Sequence, residues 1–313
     1  MRYVAPAIAF LLACSSGNKQ PATPTPPDTD MKADPTAGDK PAGGDPDAAA
    51  KAKQPPPPDT GGYKLVLPAA LTFNSLDPSK PGVPEIATVS GDLKTGGGFF
   101  LRLPAGYKSG LHTHTSDYHA IVVSGAPKHW LPGEEKKAKP LPSGSYWFQP
   151  GGQPHGDECS GTEPCLVYLV LAGGFDYAPA ADAKPVKPGK YLLISSKDVK
   201  FNPMDPKQPN GSKMGIVSGD PKTGPLAFII EMPPGANAGL HSHTSEYHAV
   251  VLQGAPAHWL PHELNEGEPL SPGAYWFQPG GYDHGDRCTG TAPCRAFVML
   301  PKALDYKPAA PKQ

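Results

Sequence analysis

Two histidines separated by a single residue, His112 and His114, are followed 41 residues after the second by another, His155. Residues two apart on an extended strand leave the same face, so this spacing aims both imidazoles one way. A third imidazole arriving from a neighbouring strand would complete a three-nitrogen set. Such a set binds a divalent metal and leaves positions open for water or substrate. The trio returns 129 residues on, as His241, His243 and His284. Two cysteine pairs obey the same offset, Cys159 with Cys165 and Cys288 with Cys294. In an exported chain, matched pairs of this kind predict two local disulfides; a metal-binding thiolate at Cys159 is the alternative.

The elements that must carry these side chains are themselves written twice. Leu111-His112-Thr113-His114-Thr115-Ser116-Asp117-Tyr118-His119-Ala120 recurs as Leu240-His241-Ser242-His243-Thr244-Ser245-Glu246-Tyr247-His248-Ala249. Tyr146-Trp147-Phe148-Gln149-Pro150-Gly151-Gly152 recurs from Tyr275 to Gly281, and all four Trp pair off, as do ten of the eleven His. So long a period marks a duplicated domain rather than a solenoid. Within each copy, β-rich runs such as Phe99–Leu103, Ala120–Val123 and Leu166–Leu171 alternate with Gly/Pro turns, and no helical period lasts three turns. That pattern predicts an all-β sandwich or barrel.

The motifs resemble the cupin superfamily. Its first motif, Gly-x5-His-x-His-x3/4-Glu-x6-Gly, is met by Gly106, His112, His114 and Gly125. Its second, Gly-x5-Pro-x-Gly-x2-His-x3-Asn, is met by Gly144, Pro150, Gly152 and His155. The second copy supplies Gly235, His241, His243 and Gly254, then Gly273, Pro279, Gly281 and His284. The resemblance implies two tandem jelly-roll (double-stranded β-helix) barrels, 63–180 and 191–313, each with its own metal site. Two positions depart from it. Tyr118 and Tyr247 stand where the family's metal-binding Glu would be, and Cys159 and Cys288 stand at the Asn. The neighbouring acids Asp117 and Glu246 should point away by strand alternation, while His119 and His248 could act only through a bulge or the longer spacing. The expectation is therefore a three-His site with Tyr118 and Tyr247 beside it as candidate proton or hydrogen-bond donors. A fourth His ligand, or histidines that merely fill a barrel, are the alternatives. Three-His cupins such as the acetylacetone and thiol dioxygenases imply Fe(II) as the favoured metal, with Zn, Mn, Ni or Cu as alternatives. For His129-Trp130 and His258-Trp259 the choice is between a pocket mouth and packing against a strand edge.

Composition limits the function further. With 28 Lys plus Arg against 29 Asp plus Glu, no field draws in nucleic acid, and no apolar run is long enough to span a membrane. Pro and Gly, 43 and 36 of 313 residues, argue against a helical bundle. Residues 1–14, MRYVAPAIAFLLAC, read as a signal peptide, and Leu11-Leu12-Ala13-Cys14 resembles the bacterial lipobox, in which the Cys is lipidated. With Ser15 next, the resemblance implies an outer-membrane anchor at the cell envelope. Residues 15–62 hold 11 Pro and no aromatic side chain, which predicts a disordered tether. The functional expectation is an exported, anchored bicupin, binding a metal and a small-molecule ligand with no protein partner evident. It would be either a dioxygenase-like enzyme acting on an anionic or enolisable substrate or a non-catalytic metal- or ligand-binding protein.

Overall fold

The computed structural model describes residues 61–263 and 265–309. The expected signal peptide, Cys14 and all but the last two residues of the expected tether lie outside them. Among the described residues there is no α-helix, only two short 3-10 turns, Pro68–Ala70 and Glu135–Lys137.

Each half is built on one large antiparallel sheet of seven strands. In the N-terminal half the order is Leu192–Ile194, Tyr146–Gln149, Tyr118–Ser124, Cys165–Leu171, Gly96–Leu103, Glu85–Asp92 and Asn74–Ser75. In the C-terminal half it is Lys64–Val66, Tyr275–Gln278, Tyr247–Gln253, Cys294–Leu300, Leu226–Met232, Lys213–Gly219 and Phe201–Pro203. Short strands close the opposite wall: Pro127–Trp130 pairs with Gly156–Cys159, and Pro256–Trp259 pairs with His284–Cys288. The fold is all-β, two jelly-roll barrels in tandem.

Sheet membership does not follow chain order at one point in each half. Lys64–Val66 pairs with Tyr275–Gln278, and Leu192–Ile194 pairs with Tyr146–Gln149. The first strand of each half of the chain therefore forms an edge of the other half's sheet. The expected limits, 63–180 and 191–313, divide the sequence repeat, but the sheets cross them.

The central strands explain why their sequences lack a polar/apolar alternation. In Tyr118–Ser124, Tyr118, Ala120 and Val122 face the barrel interior, while Ile121 and Val123 face the other half. Both faces are buried, so the strand reads as a continuous apolar run. The two large sheets share one core, where Phe100, Ile121, Tyr146 and Tyr168 meet Ile229, Val250, Tyr275 and Phe297. Tyr168 and Tyr275 lie 5.9 Å apart, centroid to centroid.

The predicted disulfides are present, Cys159–Cys165 and Cys288–Cys294, with Cα separations of 5.7 and 5.6 Å. The thiolate alternative at Cys159 falls with them. Gly125, at φ 84°, explains a glycine of the first motif: a Cβ there would lie 2.7 Å from the Cα of Cys165.

Candidate metal centre

The three histidines of the N-terminal half meet on the wall of the barrel. His112 and His155 face each other across an antiparallel bridge, each backbone amide donating to the other's carbonyl at 2.9 Å. Their rings are 4.4 Å apart, and the ring of His114 lies 5.0 Å from His112 and 5.2 Å from His155. His241, His243 and His284 repeat this with separations of 4.4, 5.0 and 5.3 Å. In each trio the ligand atoms lie within 4.8 Å of one another.

Backbone carbonyls set the tautomers. Nδ1 of His112 donates to Gly110 O at 2.9 Å, Nδ1 of His155 to Gln153 O at 3.0 Å, and Nδ1 of His114 to Asp176 O. The C-terminal trio donates to Gly239 O (3.0 Å), Tyr282 O (3.1 Å) and Asp305 O. With its proton committed at Nδ1, a neutral imidazole presents a lone pair at Nε2, the arrangement that orients metal-binding histidines. Burial pushes His155 down to about 3 and His284 down to about 2, so both rings are neutral. Three imidazole nitrogens at such close quarters suit a divalent cation.

Tyr118 and Tyr247 reach this cluster. The Tyr118 hydroxyl is 3.2 Å from Nε2 of His155, and that of Tyr247 is 3.1 Å from Nε2 of His284. Trp147 and Trp276 donate to these hydroxyls at 3.5 and 3.4 Å. Burial raises both phenols well above their ordinary value, so each keeps its proton. His119 and His248 are elsewhere, on the opposite face of their strands, hydrogen-bonded to the hydroxyls of Tyr146 (2.6 Å) and Tyr275 (2.7 Å). The fourth-histidine alternative fails because strand alternation holds without a bulge at that point. Asp117 accepts from the Gly151 amide at 2.7 Å, and Glu246 is exposed, as alternation requires.

Two features escape the sequence reading. His129 and His258 are neither at a pocket mouth nor simply packing a strand edge. They are buried behind the cluster, stacked on Trp147 and Trp276 at 4.9 and 5.0 Å. Each binds an acid, with Nδ1 of His129 2.7 Å from Asp157 Oδ1 and Nδ1 of His258 2.8 Å from Asp286 Oδ1. Burial pushes these carboxyls up, but the surrounding imidazoles, His129 and His258 foremost, outweigh it and hold both below the usual range. The signal was available: a His-x-Asp in both copies puts the acid on the same strand face as His155 and His284. The other feature is the segment Asp176–Tyr177, repeated as Asp305–Tyr306. Its tyrosines stack on His112 and His241 at 4.7 Å, and its aspartates accept the amides of Thr115 and Thr244 at 2.7 Å.

Tyr191 stacks on His129 at 5.7 Å and Tyr63 on His258 at 5.5 Å. Both tyrosines adjoin the crossed edge strands, so each half supplies an aromatic ring behind the other's centre.

A cavity of about 440 Å³ opens onto His112 and His114, with Leu101, Leu103, Val167, Leu169 and Phe175 among its walls. The corresponding cavity at His241 and His243 is about 100 Å³, with Ile230 and Met232 in place of Leu101 and Leu103.

Solved structures share this architecture. A protein from Nostoc punctiforme described as a candidate dioxygenase aligns at TM-score 0.63 and 14% identity, over 80% of this chain and 87% of its own. The oxalate decarboxylase of Lactobacillus farciminis, solved with formate, aligns at 0.50 and 16%, over 78% and 87%. A single-residue variant of Bacillus subtilis oxalate decarboxylase aligns at 0.51 and 14%, over 77% and 78%. At these identities the likeness is one of fold. No curated protein matches the chain in sequence. The family model described as a domain of unknown function, DUF4437, matches residues 78–297, well over half of the sequence, and the chain belongs to that family.

Proposed function

We propose that each half binds one divalent metal ion through its three histidines, and that the N-terminal half is a dioxygenase-like enzyme with Fe(II) as its metal. The observation that carries this reading is the set of inward Nε2 lone pairs, fixed by backbone carbonyls, at the wall of a 440 Å³ apolar cavity. A cavity of that size accepts a small organic molecule rather than a water or a simple ion. Its walls favour a substrate with an apolar body and one oxygen-bearing head, an enolate or carboxylate, directed at the histidines. Bound iron would supply Lewis acidity and reaction with dioxygen. The chain's own residues would do the rest. Tyr118, kept protonated and hydrogen-bonded to Nε2 of His155, would turn its proton to the head group once a metal takes that lone pair, and Tyr177 lies over His112. The smaller C-terminal cavity favours the second reading, metal or small-ligand binding without turnover, for that half.

The test is metal content of anaerobically purified protein by native mass spectrometry, followed by an oxygen-uptake screen. About two ions per chain are expected, one after His114→Ala and none after His114→Ala with His243→Ala. A chain that takes up none of iron, zinc, manganese, nickel or copper overturns the reading. We further propose that Cys14 anchors the protein in the bacterial envelope, supported by the Leu-Leu-Ala-Cys sequence. Cys14→Ser should release it from the membrane fraction, and a variant that still pellets would defeat the anchor.

A further inference from the structure

Behind each histidine trio, one carboxylate oxygen is left facing the cluster. Oδ1 of Asp157 is taken by His129, and Oδ2 lies 3.6 Å from Nε2 of His112. In the C-terminal half, Oδ2 of Asp286 lies 3.6 Å from Nε2 of His241 and 3.8 Å from Nε2 of His284. At 3.6–3.8 Å these contacts are too long for hydrogen bonds, and the Nδ1 atoms of His112, His241 and His284 are turned away to backbone carbonyls. Two electron-rich atoms directed at each other inside a barrel repel unless a cation lies between them. Donors next to one another around a single ion, with bonds of about 2.0–2.2 Å, sit roughly 3–3.6 Å apart, and the observed spacings approach that range.

The orientation of the carboxylate is enforced by a chain of donors whose direction cannot be reversed. Gln153 Nε2 donates to the carbonyls of Lys187 and Pro188, both at 3.1 Å, so its Oε1 must accept, and Gln149 Nε2 donates to it at 3.3 Å. Gln149 Nε2 also donates to Gln153 O at 3.0 Å, which turns Gln149 Oε1 toward His129 Nε2 at 3.0 Å. His129 therefore donates from both ring nitrogens, one to Gln149 and one to Asp157. The C-terminal half repeats the end of this chain: Gln278 Nε2 donates to Tyr282 O at 3.1 Å, and its Oε1 accepts from His258 Nε2 at 3.1 Å. A histidine that grips one oxygen of the acid in this way leaves the other oxygen facing Nε2 of His112 in the N-terminal half, and Nε2 of His241 and His284 in the C-terminal half.

Resting on the metal reading above, we propose that Asp157 and Asp286 are anionic ligands of the two metal centres, and that His129 and His258 are the residues that position them. The acid comes from the second motif, two residues after the third histidine, while the position that would carry it in the first motif is held by Tyr118 and Tyr247. A carboxylate beside three imidazoles favours a divalent first-row cation over a soft monovalent one and halves the charge that the site presents to a substrate.

The test uses the full chain loaded with Co(II), followed by its visible absorption and by competition with a chelator. The wild type should bind two ions. Asp157→Asn should weaken the N-terminal ion by about a hundredfold and change the absorption of that site alone, with the C-terminal ion in the same molecule as the internal control. Asp286→Asn should do the converse. His129→Gln should weaken the N-terminal ion by about tenfold while leaving the shape of its absorption unchanged. If Asp157→Asn also loses the C-terminal ion, the chain has unfolded, and the double variant Asp157→Asn with His129→Gln, which removes the acid and its buried partner together, gives the decisive measurement. Unchanged affinity and absorption in an Asp157 variant that keeps both ions overturn the proposal. A wild type that binds no Co(II) overturns the metal reading itself, a different result from the first.

Discussion

His119 gives the shared core a measurable sensitivity to acid. It projects from the central strand Tyr118–Ser124 toward the other half and is hydrogen-bonded to Tyr146, whose ring belongs to the core between the two large sheets. Burial lowers it from 6.5 to about 4, with the charge of Asp117 opposing only in part. Below pH 6.5 the unfolded chain therefore takes up a proton that the folded chain refuses, so stability falls as the pH drops, and this contribution levels off below about 4. With those two values, the ratio of proton binding in the two states at pH 5 corresponds to a loss of about 2 kcal/mol relative to pH 8. His119→Gln removes the titration and can keep a hydrogen bond to Tyr146. Urea unfolding of metal-free wild type and variant at both pH values isolates the effect, since the other histidines cancel in the comparison. The wild type should lose about 2 kcal/mol more than the variant on going to pH 5. A difference below about 0.5 kcal/mol would show that His119 is protonated in the folded chain and refute the argument.

Four further outcomes follow from the fold. Cleaving the exposed segment near 184–187 should give two fragments that co-elute in native buffer, because each holds an edge strand of the other's sheet and both share one core; fragments that separate would contradict the exchange. Replacing Cys159 and Cys165 by Ala opens a loop with a sequence separation of 6 and should cost about 2 kcal/mol in urea unfolding. Thiol titration of the unreduced, denatured wild type should find none of the four paired cysteines free. Gly125→Ala must accommodate a Cβ 2.7 Å from the Cα of Cys165 at a φ of 84°, and calorimetry should show a clear drop in Tm, with a comparable drop for Gly254→Ala.

Much of the molecule is legible in the sequence for local reasons. The duplication shows when the chain is compared with itself; the strand-rich character, the His-x-His alternation and the short cysteine loops depend on residues a few positions apart, and a strand of period two carries such spacing directly into space. The same rule separates Tyr118, which faces the histidines, from His119, which does not. What the sequence could not say is which chain segments meet from far away. Lys64–Val66 joins a sheet whose other strands begin beyond residue 200, and Tyr63 stacks on His258, because antiparallel edges pair with whatever complementary strand the packing brings near. The role of Asp157 was hidden for a related reason. The His-x-Asp spacing puts the acid on the face of His155, but only the tertiary arrangement of three strands sets His129 on one carboxylate oxygen and the Nε2 of His112 opposite the other.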